Sequence, residues 1–336
     1  MNPRCSAKVA ALSFAAFALC SPHPATAASI VRSFGGDATP ASITPARDQF
    51  RADLGGGTTA GVNGSFGGLR REINWDGVPA SLSAPNLLPA NFFNVNSPRG
   101  AVFSTPGTGF QVSGAAADVG SGAINFGNIN PTYASTFAPF TPQRLFTALN
   151  ANVTDVTFFI AGTTTNATVS GFGAVFTDVD TLGGTKLQFF TPDNVSLGSF
   201  NVPIGTVASQ SLSFLGVSFD AGERVARVRI TSGNAALGAA VNDNPGGGND
   251  LVVMDDFIYS EPVLVVSRPL LNIQRSAITN VVLSWATNST GFTLEANTNL
   301  TTNVWSVVTP APSVSGTNNV VTNAVSGAAR FYRLRK

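Results

Sequence analysis

The sequence predicts an all-β protein made of a large β-sandwich followed by a small immunoglobulin-like sandwich. Two stretches, Val169–Asp180 and Leu251–Tyr259, are apolar on both faces in their middles, which is typical of central strands covered on both sides. We expect these two strands to be partners. Elsewhere short apolar runs end at glycine or proline, and only one segment has a good helical pattern. These observations together predict a sandwich rather than an α/β fold.

The first residues predict a cleaved export signal. Arg4 and Lys8 form a basic region, residues 9–19 form an apolar stretch too short for a mature membrane span, and residues 25–27 read A-T-A. We therefore expect residues 1–27 to be removed, and the protein to be secreted, periplasmic or on the cell surface.

Removal of this leader would change the available chemistry. Both cysteines, Cys5 and Cys20, and the only histidine, His23, lie in it. The mature chain would then lack the side chains needed for Ser-His-Asp or Cys-His catalysis, for zinc sites and for disulfides. Cys20 raises the alternative of a lipoprotein, but the residue before a lipidated cysteine should be small and here it is Leu19.

The charge composition argues against further classes of protein, in particular nucleic-acid-binding proteins. Charged residues make up 11% of the chain, against a usual value of about 25%. The chain has 19 Lys and Arg and 18 Asp and Glu, so it is close to neutral once Arg4 and Lys8 are removed. No basic stripe is present to neutralise phosphates, so we expect no nucleic-acid partner. No stretch after the leader is long and apolar enough to predict a membrane span.

One short helix is predicted in the larger domain, residues 28–262. Thr44 is the expected N-cap and Pro45 the first helical residue, Phe50 and Leu54 share a face, and Gly55 ends the helix. We expect this helix to cap an open end of the sandwich.

The strands follow from alternation and turn residues. Residues 28–37 predict a first strand, and the T-P-D-N turn at 191–194 predicts a hairpin. In residues 212–219 the alternation changes phase beside Gly216, which predicts a β-bulge. Residues 224–230 alternate cleanly, with Arg227 and Arg229 pointing outward.

Residues 263–269 predict a linker, and residues 270–336 a smaller domain. Six or seven short strands with turn residues between them suit a small immunoglobulin-like sandwich. We expect Trp285 and Trp305 to anchor its core.

Two regions resemble known groups. The motifs R-R-E-I-N-W-D-G-V-P (70–79), 169–180 and V-V-M-D-D-F-I-Y-S-E-P, which ends at Pro262, resemble uncharacterised exported bacterial proteins of the PEP-CTERM-associated type over most of residues 30–262. The resemblance implies a jelly-roll-like β-sandwich without an assigned activity. The chain departs from that group because no membrane helix and basic tail follow Pro262. Residues 270–336, which end F-Y-R-L-R-K, resemble fibronectin type III-like modules, which implies a spacer or attachment role.

Paired aspartates are the candidate metal ligands. Asp178 and Asp180 form a D-x-D at a strand end, and Asp243 and Asp250 lie in the long loop before the second central strand. Carboxylate oxygens are ligands that Ca²⁺ prefers, so these residues predict a structural calcium site. The alternative is that they belong to solvated turns.

Asp255 and Asp256 are adjacent in a predicted strand and should point to opposite faces. One of them would then need a partner inside the protein, because an unpaired buried carboxylate is costly. An arginine of a neighbouring strand, Arg227 or Arg229, is one solution. A structural calcium bound by Asp256 is the other.

Trp75 with Asp76 is the candidate ligand-binding surface, since aromatic platforms bind sugars, although Trp75 could instead be a buried anchor. A glycosidase would need two carboxylates about 5–10 Å apart. Glu72, Glu223, Asp76 and Asp256 are candidates, but no local pattern pairs them. We therefore expect a non-catalytic extracellular or envelope protein that is structural, adhesive or glycan-binding. A carboxylate-dependent enzyme acting on polysaccharide is the alternative.

Overall fold

The computed structural model describes residues 29–335 except 60, 117–122, 221, 245, 247, 266–268, 277–279, 288–290, 303 and 325–328. The predicted leader, with Cys5, Cys20 and His23, lies outside the described residues. The chain divides into two compact units between Leu264 and Val265.

The first unit is built almost entirely from antiparallel strands. Its strands are β1 (Ser29–Gly35), β2 (Arg70–Ile73), β3 (Ala101–Ser104), β4 (Gly109–Val112), β5 (Phe146–Leu149), β6 (Val153–Phe158), β7 (Ala167–Thr168), β8 (Gly171–Thr177), β9 (Lys186–Phe190), β10 (Ser196–Asn201), β11 (Leu212–Phe219), β12 (Arg227–Thr231), β13 (Val253–Ser260) and β14 (Val263–Leu264). Its helices are α1 (Pro40–Leu54), α2 (Phe92–Val95) and α3 (Tyr133–Thr136), with single 3₁₀ turns at Val62–Gly64 and Ala80–Leu82.

Two sheets form the sandwich. One has the strand order β1-β11-β8-β13-β5-β4, with β2 also paired to β13, and the other has the order β10-β9-β12-β6-β3. Their facing side chains form one large core, in which Phe158 and Phe189 of the second sheet pack with residues such as Phe172 and Phe257 of the first. The hydrophobic effect of this buried apolar surface holds the sheets together. The predicted all-β sandwich is confirmed.

Helix α1 lies across the outer face of the first sheet. Ile43 and Phe50 pack on Val175, Phe214 and other residues of β8, β11 and β13. Strands β8, β11 and β13 are therefore buried along both faces, and β8 pairs with β13, as predicted. The expectation that the helix caps an open end of the sandwich is wrong, because the helix covers a sheet face.

The start of α1 was also predicted wrongly. Thr39 is the N-cap and Pro40 the first helical residue, so Thr44 and Pro45 lie inside the helix. Pro40 provides the fixed φ and the missing N–H that suit the first turn of a helix, which is the role that was predicted for Pro45. The predicted end is confirmed, with Gly55 at the C-cap at φ 96°.

Strand β11 contains no bulge. It pairs with β8 in unbroken register from Leu212 to Ser218, with Gly216 opposite Gly173. A Cβ atom on Gly216 would lie 2.5 Å from Phe50 Cγ, and one on Gly173 would lie 2.9 Å from the same ring. The facing glycines make room for Phe50, and the apparent change of phase arises because both faces of the strand are covered.

Other local predictions are confirmed. Strand β1 forms where expected, β9 and β10 form the hairpin around the turn at 191–194, and β12 buries Val228 and Ile230. Arg227 and Arg229 point outward from β12, and both contact Asp155 of the neighbouring strand β6.

The second unit has two small sheets. Its described strands are β15 (Asn272–Arg275), β16 (Asn280–Ala286), β17 (Thr293–Asn297), β18 (Ser306–Val307), β19 (Ser313–Ser315), β20 (Asn318–Ala324) and β21 (Phe331–Arg335), in the orders β15-β16-β20-β19 and β18-β17-β21. Trp285 is buried in its core, as predicted. Trp305 is only half-buried, with the Arg333 guanidinium 4.1 Å from its ring centroid, so its predicted core role is wrong.

Candidate functional site

Three carboxylates meet at one end of the first sheet. Ligand oxygens of Asp178, Asp180 and Asp243 all lie within 4.8 Å of one another. Asp178 is fully buried, and the other two are half-buried. We call these three residues the acidic cluster. The cluster contains three of the five predicted calcium ligands.

The pairing of β8 with β13 explains why these residues meet. The two strands are antiparallel neighbours, so the residues that follow β8 lie beside those that precede β13. Asp178 directly follows β8 and has φ 71°, a left-handed conformation that turns the chain out of the sheet. Its N–H donates to the Ser211 carbonyl at 2.8 Å, which fixes this turn.

Two hydrogen bonds with Tyr133 fix the loop that carries Asp243. The Tyr133 hydroxyl donates to the Val241 carbonyl at 2.7 Å and accepts from the Gly238 N–H at 3.0 Å. Asp243 Oδ1 accepts from the N–H of Leu251 at 2.9 Å. The loop is therefore tied to the start of β13, and the Asp243 carboxylate is held at the cluster.

The hydrogen bonds of Asp178 are incomplete. Both of its carboxylate oxygens, and Oδ2 of Asp180, are buried without a hydrogen-bond partner among the described residues. No lysine or arginine of the described chain forms an ion pair with the cluster. Buried polar groups in proteins are almost always paired, so this arrangement requires either bound protons or a bound cation.

The electrostatics of the cluster agree with its geometry. Burial, together with the nearby carboxylates of Asp243 and Asp180, raises the pKa of Asp178 to about 9. Burial and the same kind of repulsion raise the pKa of Asp180 to about 6 and that of Asp243 above its usual range. Ionising all three groups at neutral pH is thus unfavourable unless a positive charge lies between them.

Asp250 lies beside the cluster and supports it. Its Oδ1 accepts from the N–H of Asp180 at 3.3 Å, and its Oδ2 accepts from the N–H of Thr181 at 3.0 Å. Its own N–H donates to Asn234 Oδ1 at 2.8 Å. Asp250, the fourth predicted ligand, therefore orients the turn that carries Asp180.

Asp256, the fifth predicted calcium ligand, is not a member of the cluster. The register of β13 against β8 shifts between Met254 and Phe257, which places a β-bulge at Asp255 and Asp256. Both carboxylates hydrogen-bond to the same hydroxyl, Thr141 Oγ1, at 3.3 and 3.0 Å. The prediction that these two side chains point to opposite faces is wrong, because the bulge turns both towards one side.

The partner predicted for this pair is wrong as well. Arg227 and Arg229 lie in the other sheet and bind Asp155. Asp255 is instead satisfied by the N–H groups of Phe140 and Thr141, at 2.6 and 3.2 Å. Burial and the adjacent Asp256 carboxylate raise the pKa of Asp255 well above its usual range.

Trp75 takes the buried anchor role. Its side chain is 1% exposed and stacks on Phe146 with ring centroids 4.0 Å apart, and its Nε1 donates to the Asp255 carbonyl at 3.1 Å. It cannot present an aromatic face to a ligand, so the predicted binding surface at Trp75 is wrong. Trp75 has a left-handed backbone conformation with φ 64°, and the next residue, Asp76, lines a cleft.

That cleft assembles residues that no sequence pattern had paired. Glu72, Asp76 and Asp256 all line it, whereas Glu223 lies elsewhere, just before β12. The strand β2, which carries Glu72, pairs with β13, which carries Asp256, and this pairing brings them together. Sequence reasoning missed the site because neither the β2–β13 pairing nor the bulge has a local signature.

No protein-family model matches the chain, and a search of the curated proteins gave no significant match. The resemblances to PEP-CTERM-associated and fibronectin-like proteins therefore stay predictions. Within the part of the chain that the structure describes, no helix is long and apolar enough to cross a membrane.

Proposed function

We propose that the protein is an exported, non-catalytic β-sandwich protein of the cell envelope or extracellular space whose larger unit binds one structural calcium ion. The observation that carries the proposal is the Asp178 carboxylate, which is fully buried with both oxygens unpartnered and faces two further carboxylates. Asp178, Asp180 and Asp243 would hold the ion.

The ligand set favours calcium over other metals. Hard oxygen ligands from carboxylates suit Ca²⁺, whereas Zn²⁺ sites are usually built with histidine or cysteine, and neither residue occurs after His23. Ca²⁺ also accepts irregular coordination by six to eight oxygens, so backbone carbonyls and water would complete the shell. Export supports the same ion, since extracellular modules are commonly built around calcium sites of modest affinity.

The ion would act as a structural tie. The cluster joins the end of β8, through Asp178 and Asp180, to the loop before β13, through Asp243. Neutralising three carboxylates at this junction would stabilise the connection between the two central strands. A scaffold that works outside the cell gains a rigid sandwich in this way, without the disulfides that this chain cannot form after removal of its leader.

Thermal unfolding tests the proposal. The melting temperature of the purified chain is expected to rise when millimolar Ca²⁺ replaces EDTA, and to rise less with Mg²⁺, which is smaller and demands octahedral geometry. Asp193→Asn, in the exposed turn between β9 and β10, is the matched control and should keep the full calcium response. A melting temperature that is the same in Ca²⁺ and in EDTA contradicts the proposal.

A second candidate, an enzyme acting on polysaccharide, is favoured by one observation. Asp76 and Asp256 share a cleft, and a glycosidase needs two carboxylates about 5–10 Å apart. Release of new reducing ends from a mixed polysaccharide panel by the wild type, but not by Asp256→Asn, would support it. Absence of turnover would leave the non-catalytic proposal.

A further inference from the structure

A polar cleft of about 670 Å³ lies between α1, β2 and the bulge of β13. All fourteen of its described lining residues are polar or glycine. The lining therefore offers many hydrogen-bond donors and acceptors, which favours a ligand rich in polar groups. Its volume falls within the range of about 300–1,000 Å³ that small-molecule sites occupy.

The wall of the cleft is held in place by a buried network. Arg70 is fully buried and donates to three carbonyls of the loop 55–59 at 2.6 to 2.8 Å and to Glu72 at 2.8 Å. Arg51 donates to both oxygens of Glu72, at 3.0 and 2.6 Å. Charge-assisted, two-pronged contacts of this kind are strong and directional. The polar surface is therefore preorganised before any ligand arrives.

Acidic side chains converge at one position in the cleft. Asp256 and Asp255 both contact Thr141 Oγ1, and Asp76, whose Oδ1 accepts from the Arg144 N–H at 3.1 Å, lines the same cleft. One hydroxyl has a single proton to donate, so Asp76 and Asp256 keep acceptor capacity for water or a ligand, whereas Asp255 already accepts from two backbone N–H groups. The β13 bulge creates this convergence, and bulges are frequent beside functional sites.

Basic and acidic side chains around the cleft are nearly equal in number. Three arginines and four carboxylates line it, and the buried Arg70 behind Glu72 supplies a fourth positive charge. A strongly charged ligand would meet like charges in the cleft, whereas a neutral ligand rich in hydroxyl groups can bond to both the donors and the acceptors that line it. Arg99, one of the lining residues, also has a buried Nε without an acceptor among the described residues.

We propose that this cleft is a second ligand site that binds a neutral polyhydroxylated molecule of the saccharide class. Asp76 and Asp256 would accept hydrogen bonds from its hydroxyl groups, and Arg99 would donate to its oxygens. The inference goes beyond the calcium site and does not depend on it, because none of the cleft residues belongs to the acidic cluster. The sequence analysis predicted glycan binding only in general terms, and the proposal specifies this cleft as the site and neutral sugars as the ligand.

The test is isothermal titration of the full chain, in buffer with calcium, with cellohexaose, maltohexaose, xylohexaose, mannohexaose and chitohexaose. At least one neutral oligosaccharide is expected to bind. Losing one hydrogen bond to a charged group costs about 1.5–3 kcal/mol, so Asp76→Asn should weaken that binding about tenfold or more. Arg99→Gln should weaken it too, and Asp193→Asn should not. Asp178→Asn, which removes a calcium ligand, should bind the sugar normally, so failure of one proposal is distinguishable from failure of the other.

Three results would overturn the inference. The first is no binding of any of the five sugars to folded wild type. The second is an affinity within twofold of wild type in both Asp76→Asn and Arg99→Gln. The third comes from a parallel titration with the anion oligogalacturonate: if only this ligand binds, the site selects an anion. Circular dichroism of each variant shows whether it is folded, and because the two variants change different lining residues, the test stays informative if one of them unfolds.

Discussion

Replacing Asp178 with asparagine separates the two states that the acidic cluster allows. Without a cation, the buried carboxylate is raised to a pKa of about 9, against 3.8 for an ordinary aspartate, so the folded protein favours its protonated form. A raised folded-state pKa contributes stability that is fully present below the unfolded value and is lost as the pH rises towards the folded value. In EDTA the wild type should therefore lose stability between about pH 4 and pH 9.

The magnitude follows from proton linkage. One group contributes at most about 1.4 kcal/mol per pH unit, so Asp178 alone accounts for up to about 4 kcal/mol between pH 5 and pH 8. Asparagine has nearly the same shape and does not ionise. In EDTA, Asp178→Asn should therefore be the more stable protein at pH 8 and should show a smaller loss of stability with pH. The change is not abolished, since burial also raises the pKa values of Asp180 and Asp243.

Calcium should remove most of the difference between the two proteins. At a free Ca²⁺ concentration about 100 times the dissociation constant, binding stabilises the wild type by about 2.7 kcal/mol, or roughly 5–11 °C for a domain of this size. Asp178→Asn removes an ionised ligand and should lose most of that gain. The assay is urea unfolding followed by tryptophan fluorescence, at several pH values, in EDTA and in Ca²⁺. Equal pH dependence of wild type and variant in EDTA would refute the reasoning.

Three further predictions concern the fold. Gly216→Ala should destabilise the first unit by about 1–3 kcal/mol in urea unfolding, because its Cβ would clash with the Phe50 ring of α1. The control is Gly77→Ala, whose Cβ would meet no atom within 4 Å, and it should have little effect in the same titration. Trp285→Ala should cost the second unit about 3–5 kcal/mol, whereas Trp305→Ala should cost much less because that ring is half-exposed; calorimetry of the two variants distinguishes them. Glu72→Gln should cost about 3–5 kcal/mol in urea unfolding, since it removes the carboxylate that pairs the buried Arg70 and leaves the buried Arg51 with Asp48 as its remaining carboxylate partner. A loss below 1 kcal/mol would contradict the assigned network.

Much of the fold could be predicted because its signals are local. The two stretches that are apolar on both faces are the central strands β8 and β13, and the alternation of residues 224–230 gave the correct faces of β12. The D-x-D of Asp178 and Asp180 at a strand end and the acidic residues of the loop before β13 were also local signals. The structure brings Asp178, Asp180 and Asp243 together.

The errors share a physical cause, which is tertiary packing without a local signature. Gly216 suggested a bulge, but it makes room for the Phe50 ring of a helix distant in sequence. The actual bulge, at Asp255 and Asp256, appears only as a register shift against β8. Trp75 beside a turn was a candidate platform, yet its indole is buried and stacks on Phe146, which is the anchor role given as the alternative. The cleft is lined by Asp256 of this bulge and by Asp76 next to Trp75, and it was missed because neither feature has a local signature.

Direct calcium titration of the wild-type chain, stripped of metal with chelator, tests the central claim most directly. Isothermal calorimetry near pH 7.5 should show one ion bound per chain, with proton release as Asp178 ionises, and Asp178→Asn should show no such binding. The absence of any binding to folded wild-type protein at millimolar Ca²⁺, or binding that survives unchanged in Asp178→Asn, would contradict the account.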